Sequence, residues 1–324
     1  LCILVVCIHA QNMYIFIEPV GWINHPISFL IDKIACLAVP SFFMCSGYLF
    51  YRNFTWEKIS VKLKRRFFSL VVPFLLWNLL YYILHLVARK IPYVSQLFDT
   101  DVPFSLKELA DAVFKYNPVF WFMSYLIIFS FLCPVIYGIL KQKWVGLLVV
   151  LSVFALNVSA VFVPYLPVKA NDILGWSSYY LIGSYISIHW KEAATPKKTL
   201  IYKCVIVSLV SLCISYVLFF VYNQSGWNYI YKLCGAIFLW YFIWMIGLPD
   251  AKKWMKNTFF IYAVHQIMAL FLNKMANVFL GNSMYVGGFV FLLIPVIVVV
   301  FCYYAEILLS KYLPIVWKGV SGGR

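Results

Sequence analysis

The sequence predicts an all-α protein, a polytopic bundle of about ten transmembrane helices with both termini in the cytoplasm. Three observations carry that expectation. Of the 324 residues, 64% are hydrophobic and only 11% charged. A soluble domain has about 25% charged residues, so there is too little polar surface here to cover a globule in water. Apolar stretches recur at lengths close to the roughly 20 residues that cross a bilayer. The Lys and Arg residues between them fall mostly in alternate joins, the pattern that sets the orientation of membrane helices. A formal charge of +15 would suggest nucleic acid in a soluble protein. Topology accounts for it here, and no nucleic-acid partner is expected.

In chain order the expected spans are 1–17, 28–50, 67–88, 119–140, 144–163, 172–190, 200–222, 228–248, 257–280 and 286–312. The chain begins at Leu1, inside an apolar run and without Met, a basic leader or a cleavage site. It therefore reads as one integral-membrane domain, 1–324, whose first helix lacks its native start, and not as a signal peptide followed by a mature protein. The joins are short except 89–118. There Ser105 can cap a helix, Glu108 follows three residues later, and apolar residues recur at 106, 109, 110, 113 and 114. That is the pattern of a capped amphipathic helix lying at the membrane surface.

Orientation follows from the basic residues. If 51–66 is cytoplasmic, that side holds six Lys and Arg at 52–66, two at 141–143, four at 191–203, three at 252–256 and three at 311–324, together 18. The opposite side holds five: Arg89, Lys90, Lys107, Lys115 and Lys169. Lys33, Lys232 and Lys274 lie within spans. No repeat relates the two halves, which weighs against a transporter built from repeated bundles. The nine cysteines form no CxxC and no Cys/His cluster, so they read as small buried hydrophobes, and no metal is expected.

An ionisable residue inside a span is costly and so a candidate for chemistry. His9 lies nine residues before Glu18, roughly 13 Å along a helix, which puts it near mid-membrane. It is either a working imidazole or a histidine satisfied by neighbouring helices. His265 and Tyr262 are three apart and share a helix face, able to line a pocket or to hydrogen-bond across the bundle. Lys62, Arg65 and Arg66 recur at helical spacing before Phe67. They suit phosphate oxygens, although orientation alone would also place basic residues there.

Read together, these segments resemble a known family. FFMCSGYLF (42–50) followed by KLKRRFFSLVVPFLLW (62–77) looks like the second and third helices of the acyltransferase-3 family of integral membrane acyltransferases. ILVVCIHAQN resembles its first helix, NTFFIYAVHQIM its late helix, VFWFMSYLIIF its Trp-Phe segment and YYLIGSYIS its Gly-Tyr helix, and the ending GVSGGR is also similar. Three positions depart from the pattern. Ser124 stands where many members have Arg, Ser69 and Leu70 follow where a further Arg is expected, and the basic residue eleven positions before His9 would precede Leu1.

The resemblance implies a multi-pass protein of the bacterial inner membrane. It would move an acyl group, most often acetyl, from acyl-CoA to a hydroxyl of a cell-envelope sugar or related precursor. It further implies His9 as catalytic base, Arg65 and Arg66 with Lys62 at the donor phosphates, and Ser46, Tyr262 and His265 in the substrate pocket. Gly183 would serve helix packing. A base suits the chemistry, because a hydroxyl must lose its proton as its oxygen attacks a thioester, and a neutral imidazole can take it near neutral pH. The rival is a proton-coupled transporter or lipid-linked-sugar flippase that uses the same histidines as a relay. A membrane scaffold without chemistry does not account for His9 and His265 in apolar helices.

Overall fold

The computed structural model describes residues 1–11, 21–91, 105–114, 119–159, 168–222, 224–252, 255 and 258–323. Among them every regular element is helical: α1 (Cys2–Ala10), α2 (Gly21–Phe29), α3 (Ala38–Tyr51), α4 (Ile59–Arg66), α5 (Val72–Ala88), α6 (Leu106–Phe114), α7 (Trp121–Phe131) and α8 (Cys133–Leu140). These are followed by α9 (Lys143–Ser159), α10 (Val168–His189), α11 (Lys191–Ala194), α12 (Lys198–Tyr222), α13 (Ser225–Ile246), α14 (Thr258–Leu280), α15 (Met284–Tyr312) and α16 (Pro314–Val320).

Among the described residues, six continuous helical stretches are long and apolar enough to cross a membrane: His25–Tyr51, Trp56–Ala88, α12, α13, α14 and α15. The pair α7 and α8 makes a seventh if the two halves form one span bent by 63°. The sequence reads 119–140 as one straight span. The helix instead breaks at Leu132, because Pro134 has no N–H to give the preceding turn and its ring crowds the residue before it. The remaining three expected spans also fall on helices, but with less to recommend them by length and apolarity. α9 has only 17 residues, α10 is polar, and α1 ends at Ala10, with Glu18 outside the described residues. In the long join, Ser105 Oγ accepts the Glu108 N–H at 3.0 Å. That is the expected cap, and α6 then runs with Leu106 and Phe114 exposed.

The chain divides into two compact units, each assembled from separated stretches. The first comprises Cys36–Val61 and Phe129–Asp250. Its centre is the pairing of α3 with α10, where a Cβ on Gly47 would strike the Tyr180 carbonyl and one on Gly183 the Met44 carbonyl. The two backbones thus touch through reciprocal glycines, the small-residue contact by which membrane helices approach closely. This contact explains the polarity of α10: Ser178 and Ser184 are buried, and their hydroxyls donate to the carbonyls of Gly175 and Tyr180 on their own helix, each at 2.7 Å.

The second unit comprises Cys2–Ala35, Lys62–Ile128 and residues 251–324. Its core gathers Val6, Trp77, Tyr81, Phe120, Phe260 and Ile294 from four helices and the segment ahead of α7. Helix α4 passes into α5 through a π-helical turn at Phe67–Val71. The chain end packs beneath that junction. Trp77 Nε1 donates to the Val320 carbonyl at 2.9 Å, and Phe260 meets Trp317 edge to face. Helix α16 closes with Gly323 N–H on the Lys318 carbonyl and Gly322 N–H on that of Gly319. This Schellman ending needs the left-handed φ of +72° at Gly322.

Candidate active site

Helices α1 and α14 run parallel within the second unit. At one end Cys2 Sγ lies 3.5 Å from the Thr258 carbonyl; at the other Asn273 Nδ2 donates to the Ala10 carbonyl at 3.2 Å. The last carbonyls of a helix have no partner within it, so an outside donor is what the end of α1 requires. Asn273 is 1% exposed and also donates to the Ala269 carbonyl at 2.8 Å. His265, Ala269 and Asn273 follow one another four residues apart and so share one face of α14. Ala269, with no exposure at all, leaves α1 room to lie close.

That register brings His9 to His265. Their ring centroids are 4.8 Å apart and the planes meet at 66°. His9 is half-buried and His265 is 1% exposed. His265 Nδ1 lies 2.7 Å from the Tyr262 carbonyl. A carbonyl can only accept, so Nδ1 carries the proton and Nε2 is the bare nitrogen. Among the described residues, buried Nε2 has no hydrogen-bond partner, and the same holds for Oε1 of the neighbouring Gln266.

Tyr262 stacks beside His265, with centroids 5.9 Å apart, and its hydroxyl donates to the Val119 carbonyl at 2.9 Å. Tyr81 on α5 donates to the Ala263 carbonyl at 2.8 Å, and Phe120 and Phe259 complete the aromatic wall around Tyr262. Two imidazoles therefore sit together in an apolar core where, among the described residues, His265 Nε2 and Gln266 Oε1 are both unsatisfied acceptors. A buried acceptor in this state is a place for a donor O–H or N–H to bind.

The structure joins three of the sequence-predicted residues, His9, Tyr262 and His265. Lys62, Arg65 and Arg66 belong to the same unit but stand apart on α4, with Arg65 exposed and the other two half-buried. From Arg66 to Tyr81, which touches α14 two residues before His265, the helix climbs roughly 22 Å at 1.5 Å per residue. Ser46 is half-buried on α3 and belongs to the first unit. Ser124 donates to the Phe120 carbonyl of its own turn at 3.2 Å. Among the described residues no three of His, Cys, Asp and Glu gather to hold a metal ion. Sequence reasoning missed Asn273 and Tyr81. Their signal was present, since each is a polar group at helical spacing in an apolar run, but a partner that is a backbone carbonyl leaves no mark on the sequence.

The second unit thus pairs two imidazoles in its core and also carries Lys62, Arg65 and Arg66 of α4. The family model of the acyltransferase-3 family, described as an acyltransferase domain, matches residues 1–305. The chain belongs to that family and is a membrane acyltransferase. No curated protein and no solved structure gives a match to the chain.

Proposed function

We propose that the protein transfers an acyl group, acetyl foremost, from acyl-CoA to a hydroxyl of a carbohydrate or related cell-envelope precursor, at the bacterial inner membrane. The observation that carries this reading is the contact of His9 with His265 in the apolar core of an acyltransferase-family chain. His9 takes the proton of the acceptor hydroxyl as its oxygen attacks the thioester carbonyl. The tetrahedral adduct collapses, the C–S bond breaks, and the coenzyme A thiolate leaves with the proton that His9 held. An ester and free coenzyme A result.

Arg65 and Arg66, with Lys62, are the groups suited to the donor's phosphates, through the charge-assisted contacts that Arg forms with such oxygens. The helix length of roughly 22 Å between Arg66 and the level of His265 fits a donor whose charged head and reactive thioester lie at opposite ends of a long flexible arm. Tyr262, stacked beside His265, is assigned to the wall of the pocket.

The test is label transfer. Purified full-length protein is incubated with acetyl-CoA labelled in the acetyl group and with a membrane extract as source of acceptor. Label in an alkali-labile ester is the expected result. Intact acetyl-CoA, together with movement of protons or a lipid-linked sugar across proteoliposomes, would favour the transporter instead.

A further inference from the structure

We infer that His265 is a positioning residue which accepts a hydrogen bond from His9 and thereby holds its partner's other nitrogen bare and aimed at the acceptor hydroxyl. This inference rests on the acyl-transfer reading above and assigns different tasks to the two imidazoles. The Tyr262 carbonyl fixes the tautomer of His265 from one side, at 2.7 Å from Nδ1. The opposite nitrogen, Nε2, is then an acceptor, fully enclosed and without a donor among the described residues. Leaving such an atom unmet is costly, and native interiors seldom do so.

The His9 ring, 4.8 Å away centroid to centroid and close to edge-on, is the donor at hand. The terminal torsion of His is soft, so a modest turn of the ring brings an N–H to Nε2. The chain of bonds then runs from the Tyr262 carbonyl through His265 to His9 and on to the substrate. Its logic is that of a catalytic triad, in which a third group fixes the tautomer of the base and steadies the imidazolium that forms. Here a neutral imidazole anchored on a carbonyl stands where a carboxylate stands in the hydrolases. In the step itself the proton passes from the hydroxyl to His9 and then to the leaving thiolate; His265 keeps its own proton throughout. Asn273, by holding the Ala10 carbonyl, sets the depth of the helix that carries His9.

The test compares His265→Gln, His265→Asn and His265→Phe in the full-length protein, with acetyl transfer, KM for acetyl-CoA, donor binding and thermal stability measured on each. A Gln side chain places an amide oxygen where Nε2 stands, the shorter Asn reaches only the level of Nδ1, and Phe has no acceptor. The expected result is a Gln variant within about tenfold of the wild type, with Asn and Phe lowered about 10²–10⁴-fold in kcat, the usual range for a base that loses its function, and with donor KM unchanged in all three. Gln as inactive as Phe, with donor binding intact, would mean that His265 itself takes the proton and would overturn the assignment. Full activity in Phe would overturn it too, as would losses in the three variants that merely follow their thermal stability. If the wild type transfers no label while the protein is folded, the acyl-transfer reading fails, and that result is separate from any ranking of the variants.

Discussion

At Asn273 one buried amide donates to two carbonyls, that of Ala269 on its own helix and that of Ala10 at the end of α1. Replacing it with Leu keeps the volume roughly constant but strands the Ala10 carbonyl in an apolar core. A buried group left unpaired costs about 1–3 kcal/mol, so Asn273→Leu is expected to lower the thermal midpoint and to reduce transfer without raising donor KM. A variant as stable and active as the wild type would remove Asn273 from this role. At the same scale, His9→Gln keeps a hydrogen-bonding side chain but cannot take up a proton near neutral pH. Transfer is expected to fall about 10²–10⁴-fold while acyl-CoA binding stays close to normal; restored activity in Gln would make His9 a group that only positions another. His9, Tyr262 and His265 were legible because ionisable and hydroxylated residues stand out in apolar runs. Asn273 was not, because its partner lies 263 residues away and is a backbone atom.

Among the elements, the α3–α10 contact is the tightest constraint. Gly183→Ala pushes a methyl group into the backbone of α3 at Met44. Overpacking of that kind costs typically about 1–3 kcal/mol, and with backbone rather than a flexible side chain in the way the upper part of the range is expected. Lower yield of folded protein and a lower thermal midpoint would show it. A glycine in a Gly-Tyr segment read correctly as a packing device, and the expected span 172–190 falls on α10, which is less apolar than the six long stretches. The bend at Leu132 follows from Pro134, which the apolar run on either side masked. For α4 the prediction concerns the donor: Arg65→Ala with Arg66→Ala is expected to raise KM for acyl-CoA, with a loss of roughly 1.5–3 kcal/mol for each charge-assisted contact removed. Unchanged donor kinetics in a folded double variant would leave these arginines as orientation signals alone.

For the whole molecule, the asymmetry of Lys and Arg between alternate joins predicts that the 51–66 segment, most of it helical, faces the cytoplasm. The all-helical fold with its long apolar helices was legible from composition and run length. The division into two units was not, since each draws on separated stretches that only tertiary contacts unite. Orientation can be checked in a variant without native cysteines. A cysteine at Lys58 is expected to resist membrane-impermeant thiol reagents in intact cells, and one at Lys107 to react. Orientation and chemistry meet in one measurement, the consumption of labelled acetyl-CoA by sealed membrane vesicles of defined sidedness. Transfer of label is expected when the donor is added to inside-out vesicles, little with right-side-out vesicles, and none in inside-out vesicles carrying His9→Gln. Consumption from the opposite face, or undiminished transfer in the His9→Gln vesicles, would contradict that expectation.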